Sequence, residues 1–305
     1  MEVSYQENPR KPEDTPFRQQ RMKSFKPVLS FGSAVCIFGV FGLVFTGVGA
    51  ALLGYSSEII EVKVRYDDKD PCSQTSWDSP RVCSVSLLLE EDIPGPVYVY
   101  YELRNFYQNN RKYVKSKSDK QLMGEDLSLE ELGSCGPVKT MEDLQVSTES
   151  SRPANPCGLV AKTMFNDTFA LENESGKQIA IKETEISWKT DRERKFKRLE
   201  GNWTEKQWLD VEDEHFIVWM RISGLPKFRK LWGRIEQDLE SGEYFLNVQS
   251  NYDVSFLEAE KWVVLSNTNA LGGDNTFLGS VYTTIGCILL SLGTAFGIKG
   301  VFFKA

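Results

Sequence analysis

Two stretches of this sequence carry no acidic or basic side chain, and they constrain the fold more than any other feature. Val28 to Ser57 and Asn275 to Ile298 contain no Asp, Glu, Lys or Arg. A bilayer core of about 30 Å is crossed by roughly 20 apolar helical residues, and both stretches are long enough. Core helices of soluble proteins rarely run so far without a charge. We expect transmembrane helices at 28–54 and 276–298, with Pro27 suited to a first helical position, where its missing N–H needs no partner. A cleavable signal peptide fits the first stretch poorly, because 27 residues precede it and the apolar run exceeds the roughly 7–15 residues of a signal core. The average composition, 41% hydrophobic and 26% charged, conceals this segregation.

The flanks predict orientation. Arg10, Lys11, Arg18, Arg21, Lys23 and Lys26 precede the first span, and Lys299 and Lys304 follow the second. Basic residues near membrane ends stay cytoplasmic. A cytoplasmic N-tail (1–27) and C-tail (299–305) are therefore expected, with residues 55–275 forming a lumenal or extracellular domain. That domain holds 28 basic and 39 acidic residues, a net charge of −11, which fits a solvated exterior and argues against nucleic acid as a partner.

The cysteines point to the same side. Cys36 and Cys287 fall within the expected helices, whereas Cys72, Cys83, Cys135 and Cys157 all lie between them. Four cysteines in an oxidising compartment read as two disulfides with three possible pairings. Sequence does not choose among these; Cys72–Cys83 with Cys135–Cys157 closes the smallest loops. A zinc site is disfavoured, since there is no C-x-x-C and His215 is the only histidine. Three glycosylation sequons, at Asn166, Asn173 and Asn202, also fall in this region and none in the tails.

Short alternating or β-branched runs bounded by turn residues predict strands at 59–66, 82–89, 97–103, 178–188, 216–222, 244–248 and 262–265. Helical patterns are fewer, at 105–117, 127–132 and 228–239. The expected fold is two transmembrane helices flanking a β-rich ectodomain, an antiparallel sheet or sandwich with a few short helices. Because this domain starts and ends at a membrane helix, its first and last strands should lie together.

Catalytic chemistry finds no foothold. No nucleophile elbow, phosphate-binding loop or dinucleotide fingerprint is present. His215 reads as a structural residue at the start of a strand, and Glu90-Glu91 and Glu130-Glu131 as solvated faces. Arg192, Arg194, Lys195, Lys197 and Arg198, interleaved with Asp191 and Glu193, read as an exposed face. The alternation of Tyr98 and Tyr100 reads as one buried sheet face. No cofactor or metal is expected. In the second span Gly279, Gly286, Gly293 and Gly300 recur every seven residues, and Gly293 and Gly297 form a small-xxx-small pair. Glycines on one helical face admit close backbone approach, so this helix should pack tightly on the first span or on a foreign helix. With no ionisable residue in either span, an ion path through this chain alone is disfavoured.

Several segments carry a family resemblance. They are Pro16-Phe-Arg-Gln-Gln-Arg-Met, the run from Tyr98 to Ser116 (Tyr-Val-Tyr-Tyr-Glu-Leu-Arg-Asn-Phe-Tyr-Gln-Asn-Asn-Arg-Lys-Tyr-Val-Lys-Ser), and Pro156-Cys-Gly-Leu-Val-Ala-Lys-Thr-Met-Phe-Asn-Asp-Thr. With them go His215-Phe-Ile-Val-Trp-Met-Arg, Leu225-Pro-Lys-Phe-Arg-Lys-Leu-Trp and Gly272-Gly-Asp-Asn-Thr-Phe-Leu-Gly. The chain resembles the cell cycle control protein fifty family, also called ligand-effect modulators, the non-catalytic β-subunits of type-IV P-type ATPase lipid flippases. The resemblance implies a chaperone-like membrane subunit that takes its ATPase out of the endoplasmic reticulum and supports aminophospholipid transport, with ATP and Mg²⁺ handled by the partner. It implies a disulfide at Cys157 and a glycan at Asn166. The region of Cys72 and Cys83 lacks an additional cysteine pair common in animal members, and Asn247-Val248-Gln249 breaks a common late sequon. The competing readings are a subunit of a two-helix ligand-gated channel, and an ectodomain receptor or adhesion protein.

Overall fold

The computed structural model describes residues 13–24, 30–74, 81–145, 151–270 and 272–302, and the structural statements below concern these. Two long helices, α1 (Phe31–Ser57) and α9 (Thr276–Phe302), bracket eight strands and seven short helices. The strands are β1 (Glu61–Arg65), β2 (Arg81–Leu89), β3 (Val97–Arg104), β4 (Thr168–Asn173), β5 (Gln178–Ile179), β6 (Phe228–Ile235), β7 (Gly242–Ser250) and β8 (Glu260–Ser266). The helices between are α2 (Arg111–Lys115), α3 (Asp119–Leu122), α4 (Met141–Leu144), α5 (Leu159–Lys162), α6 (Lys189–Arg194), α7 (Trp203–Lys206) and α8 (Glu214–Met220). The long helices, up to Leu53 and from Thr276, form one compact unit, and Gly54–Asn275 forms the other.

Both helices are long and apolar enough to cross a membrane. Ser30 caps α1 by accepting the Ser33 N–H on its Oγ at 3.2 Å; the expected start at Pro27 and Val28 lies outside the described residues. The helices end at Ser57 and Phe302, beyond the expected 54 and 298, and α9 includes Lys299. A charge-free run measures the hydrocarbon span, whereas backbone bonding continues into the interface, where a lysine stem lies along the helix and its ammonium reaches water.

The central domain is a sandwich of two antiparallel four-stranded sheets. Sheet 1 has the order β1-β8-β3-β6 and sheet 2 the order β2-β7-β4-β5. Alternation sorts each strand: Cys83, Val85, Leu87 and Leu89 of β2 point inward, as do Val97, Val99, Tyr101 and Leu103 of β3. Phe169 of sheet 2 meets Trp232 of sheet 1 edge to face at 5.1 Å between ring centroids, inside one shared core. A smaller core of Leu127, Leu132, Val138, Met141, Leu144 and Ala154 surrounds the Cys135–Cys157 disulfide.

The first and last strands pair from Glu61↔Ser266 to Arg65↔Trp262, so the chain enters and leaves the domain side by side. Several segments differ from expectation. Residues 216–222, read as a strand, belong largely to α8, whose N-terminus Asp213 caps by accepting the His215 N–H at 2.9 Å. A short all-apolar run has no period to distinguish helix from strand. Residues 228–239, read as a helix, contain β6, where Lys230 on the buried face disguises the two-residue alternation. The 178–188 run pairs as a strand only at Gln178–Ile179, and the helix expected over 105–117 is confined to Arg111–Lys115. No strand was expected at β4, whose inward residues are only Phe169 and Leu171. Tyr98 and Tyr100 are not the buried face of β3; the core side is Val97, Val99, Tyr101 and Leu103.

Candidate functional site: the helix pair, its neck and the domain surface

The glycine line of α9 is turned against α1. A Cβ on Gly279 would come within 2.8 Å of Leu53 Cγ, and one on Gly286 would overlap Thr46. Reciprocally, a Cβ on Gly42 would come within 2.7 Å of Leu290 Cγ, and one on Gly49 would overlap Thr283. In each of these four pairs the residue numbers add to 332, the mark of antiparallel helices in constant register. Gly293 and Gly297 continue the seam against Phe38 and Val35. Phe38 stacks on Phe296 and Phe45 on Tyr282 beside it. Small residues let backbones approach until dispersion and carbonyl contacts replace lipid, and a seven-residue repeat keeps the seam aligned by left-handed supercoiling. The spacing alone left the packing partner open; the structure supplies α1.

A set of polar contacts joins the first and last residues of the central domain. The Ile60 N–H donates to Asn267 Oδ1 at 2.9 Å, and Asn269 Nδ2 donates to the Tyr55 carbonyl at 2.7 Å. Ser56 Oγ donates to Asp274 Oδ1 and accepts the Asn275 N–H. The outer face of sheet 1 continues from these contacts as a belt of half-buried aromatics and ion pairs. Arg104 stacks 3.8 Å from the Trp262 ring centre and pairs with Glu102, while Arg229 lies over Tyr100 and pairs with Glu61. Burial works against the Glu61 carboxylate, but Lys63 and Arg229 bring its pKa below the ordinary value.

The disulfides are Cys72–Cys83 and Cys135–Cys157, with Cα separations of 5.6 and 5.7 Å. The second is held in place from α3, where Gln121 accepts the Cys157 N–H and donates to the Ala154 carbonyl. Gly158 follows it at φ +100°, and a Cβ there would overlap the Ser116 carbonyl, so only glycine fits. Of the sequon asparagines, Asn166 is exposed just before β4, Asn173 forms the β4–β5 turn, and Asn202 is exposed ahead of α7.

Several residues with roles in the structure were not visible in sequence. Asp167, inside the Asn166 sequon, is fully buried; it accepts from Lys261 Nζ at 2.7 Å, Tyr66 Oη at 2.6 Å and the N–H groups of Asn251 and Tyr252. Burial and the Asp167 charge push the Tyr66 hydroxyl well above its usual pKa. Glu214 opens α8 by accepting from Ser187, the Glu185 N–H and Arg192; burial opposes its charge, yet these donors bring its pKa down to about 2. Lys230 donates to the carbonyls of Val218, Trp219 and Arg221 at the end of α8, and burial, with Arg221 nearby, brings its pKa down to about 7. The only sequence signal for any of these is a lone charge within an apolar alternation, as at Lys230 and Lys261.

His215 lies in the first turn of α8, not at a strand start, and its Nε2 is 2.9 Å from Glu183 Oε2. The basic run is locally neutralised: Arg192 pairs with Glu214, Lys195 with Asp191, and Arg198 with Asp210. Among the described residues no His, Cys, Asp and Glu cluster could hold a metal.

Two apolar helices that pack through glycine, with one β-sandwich domain between them in the chain, define a two-span integral membrane protein. The LEM3 (ligand-effect modulator 3) family / CDC50 family matches residues 52–305, and this chain belongs to that family. It is 37% identical to "Cell cycle control protein 50A" of Mus musculus, over 93% of this chain and 87% of that protein. It is 36% identical to "ALA-interacting subunit 3" of Arabidopsis thaliana, over 95% and 86%. Identity with "Cell cycle control protein 50B" of Homo sapiens is 32%, over 92% and 91%.

Proposed function

We propose that this chain is the non-catalytic accessory (β) subunit of a phospholipid flippase, forming a heterodimer with a type-IV P-type ATPase. The observation that carries the reading is its similarity, across nearly its whole length, to a protein named for being an interacting subunit. ATP hydrolysis belongs to the partner; this chain supports its folding, its exit from the endoplasmic reticulum and its movement of aminophospholipid. Both tails face the cytosol, residues 55–275 face the lumen or exterior, and Asn166, Asn173 and Asn202 carry glycans. The complex works in the endoplasmic reticulum, Golgi or secretory vesicles, and plasma membrane.

The glycine seam gives the helices a mechanical role. A pair locked to itself presents its remaining faces as one rigid surface to the ATPase's membrane helices, while the sandwich covers that partner's lumenal loops. Affinity purification of the tagged full chain in mild detergent, followed by mass spectrometry, tests the reading. A P-type ATPase co-eluting near one to one supports it. Recovery of self-oligomers alone, with ion current in reconstituted bilayers, would replace it with the channel.

A further inference from the structure

A hollow of about 190 Å³ lies beside the Asn166 sequon. Phe165 and Trp232 line its buried side, and Asn166, Glu183, Asp213 and His215 line it towards solvent. The His215 ring centre is 5.3 Å from that of Trp232, and its Nε2 is 2.9 Å from Glu183 Oε2. Asp213 Oδ1 accepts the His215 N–H. The second carboxylate oxygen of Glu183 and that of Asp213 have no partner among the described residues.

Three features point to an occupant. An apolar floor with a few convergent polar groups is the pattern of a small-molecule site, but this volume falls below the roughly 300–1,000 Å³ of drug-sized pockets. It suits a group the size of one sugar ring. Carboxylate oxygens are acceptors only, so two of them without partners call for hydroxyl or amide donors and repel an anion. Finally, a donor-rich group has its attachment point on the rim. Among the described residues the Asn166 side chain makes no hydrogen bond, whereas Asn173 Oδ1 accepts from Ser175 and Lys177, and Asn202 Nδ2 donates to Glu205. The Asn166 backbone is fixed on both sides: Asn251 Nδ2 donates to its carbonyl at 2.9 Å, and the neighbouring Asp167 is buried and accepts the N–H groups of Asn251 and Tyr252. A group tethered to so fixed a point meets the hollow at high effective concentration, so a few weak contacts are enough to hold it.

We infer that this hollow seats the first N-acetylglucosamine of the chain's own Asn166 glycan, its hydroxyl and amide groups donating to Glu183 and Asp213 and its ring lying against His215. The inference rests on the glycosylation of Asn166 proposed above and adds where the sugar sits and what holds it.

The test treats the purified full-length chain, with its co-eluting partner in mild detergent, with peptide-N-glycosidase F. This enzyme must reach the bond between asparagine and the first sugar, and it leaves aspartate, which mass spectrometry counts site by site. Denatured chain is the reference for full access, and Asn202 is the internal control. Release from native Asn166 should be about tenfold slower than from Asn202, and Glu183→Ala should remove about that factor, the scale of one hydrogen bond to a charged group. Glu183 is 49% exposed, so this variant should keep the wild-type unfolding midpoint. Release at Asn166 as fast as at Asn202 overturns the seat and leaves the glycan in place. Protection that does not respond to Glu183→Ala overturns it too, because the shield is then the partner or another surface. Faster release at both sites in Glu183→Ala reports a looser fold and also counts against it. If Asn166 carries no glycan in the untreated chain, the glycosylation reading fails and the seat with it.

Discussion

Lys261 Nζ lies 2.7 Å from Asp167 Oδ2, with side chains 1% and 0% exposed, and this pair ties β8 of sheet 1 to the start of β4 in sheet 2. Lys261 also donates to Ser250 Oγ and the Tyr252 carbonyl, and Asp167 accepts from Tyr66 and two backbone N–H groups. Each charge therefore has its hydrogen bonds inside the fold, the condition under which a buried pair is tolerated.

Removing one partner should cost far more than removing both. Lys261→Met strands the Asp167 carboxylate and is expected to destabilise the domain by about 3–5 kcal/mol. Adding Asp167→Asn should recover part of that loss. Chemical unfolding of the full chain in detergent measures the difference, and equal stability of the single and double variants would exclude the coupling. The Asn166 sequon survives both changes.

Acid should act through Glu214. Its pKa in the fold is about 2, against an ordinary 4.5. The stability it contributes is present above about 4.5 and lost as pH falls towards 2. The full effect is about 3 kcal/mol at most. The stability gap between wild type and Glu214→Gln should stay constant from neutral pH to about 5 and close below that. A gap that widens in acid would contradict the assignment.

The helix seam predicts that glycines are not equivalent. With Cys36 and Cys287 replaced by serine, Gly42→Cys and Leu290→Cys should crosslink, because these positions face each other. Gly286→Val, which would force a side chain into Thr46, should abolish that crosslink. Gly47→Val should not, since nothing lies within 4 Å of its Cβ position.

The Cys135–Cys157 disulfide should matter most to the small lobe around it. Closing a loop of this separation, 22 residues, contributes about 3 kcal/mol, and the lobe's own core is small. In Cys135→Ser, limited proteolysis should cut between residues 117 and 160 first, while fragments spanning β7 and β8 persist. Uniform digestion would mean that the lobe and sandwich unfold as one.

The sequence by itself determined the parts of this protein that depend on solvent and period. Charge-free length marked both spans, alternation marked β2, β3 and β7, and seven-residue glycine spacing marked one face of α9. These are local signals, because a bilayer or a pleated sheet acts on each segment alike wherever it stands in the chain. Tertiary structure decided the rest. Whether His215 to Met220 coils or extends is set by the Asp213 and Glu214 caps and by burial on several sides. That Lys230 and Lys261 belong inside is set by acceptors that their own strands do not provide. That Gly286 meets Thr46 arises only when distant segments come together. The periodic glycines mark a packing face but not what packs on it, and a contact between distant segments leaves no trace of its partner in either sequence; the face across the seam and the buried pair were therefore legible only in three dimensions.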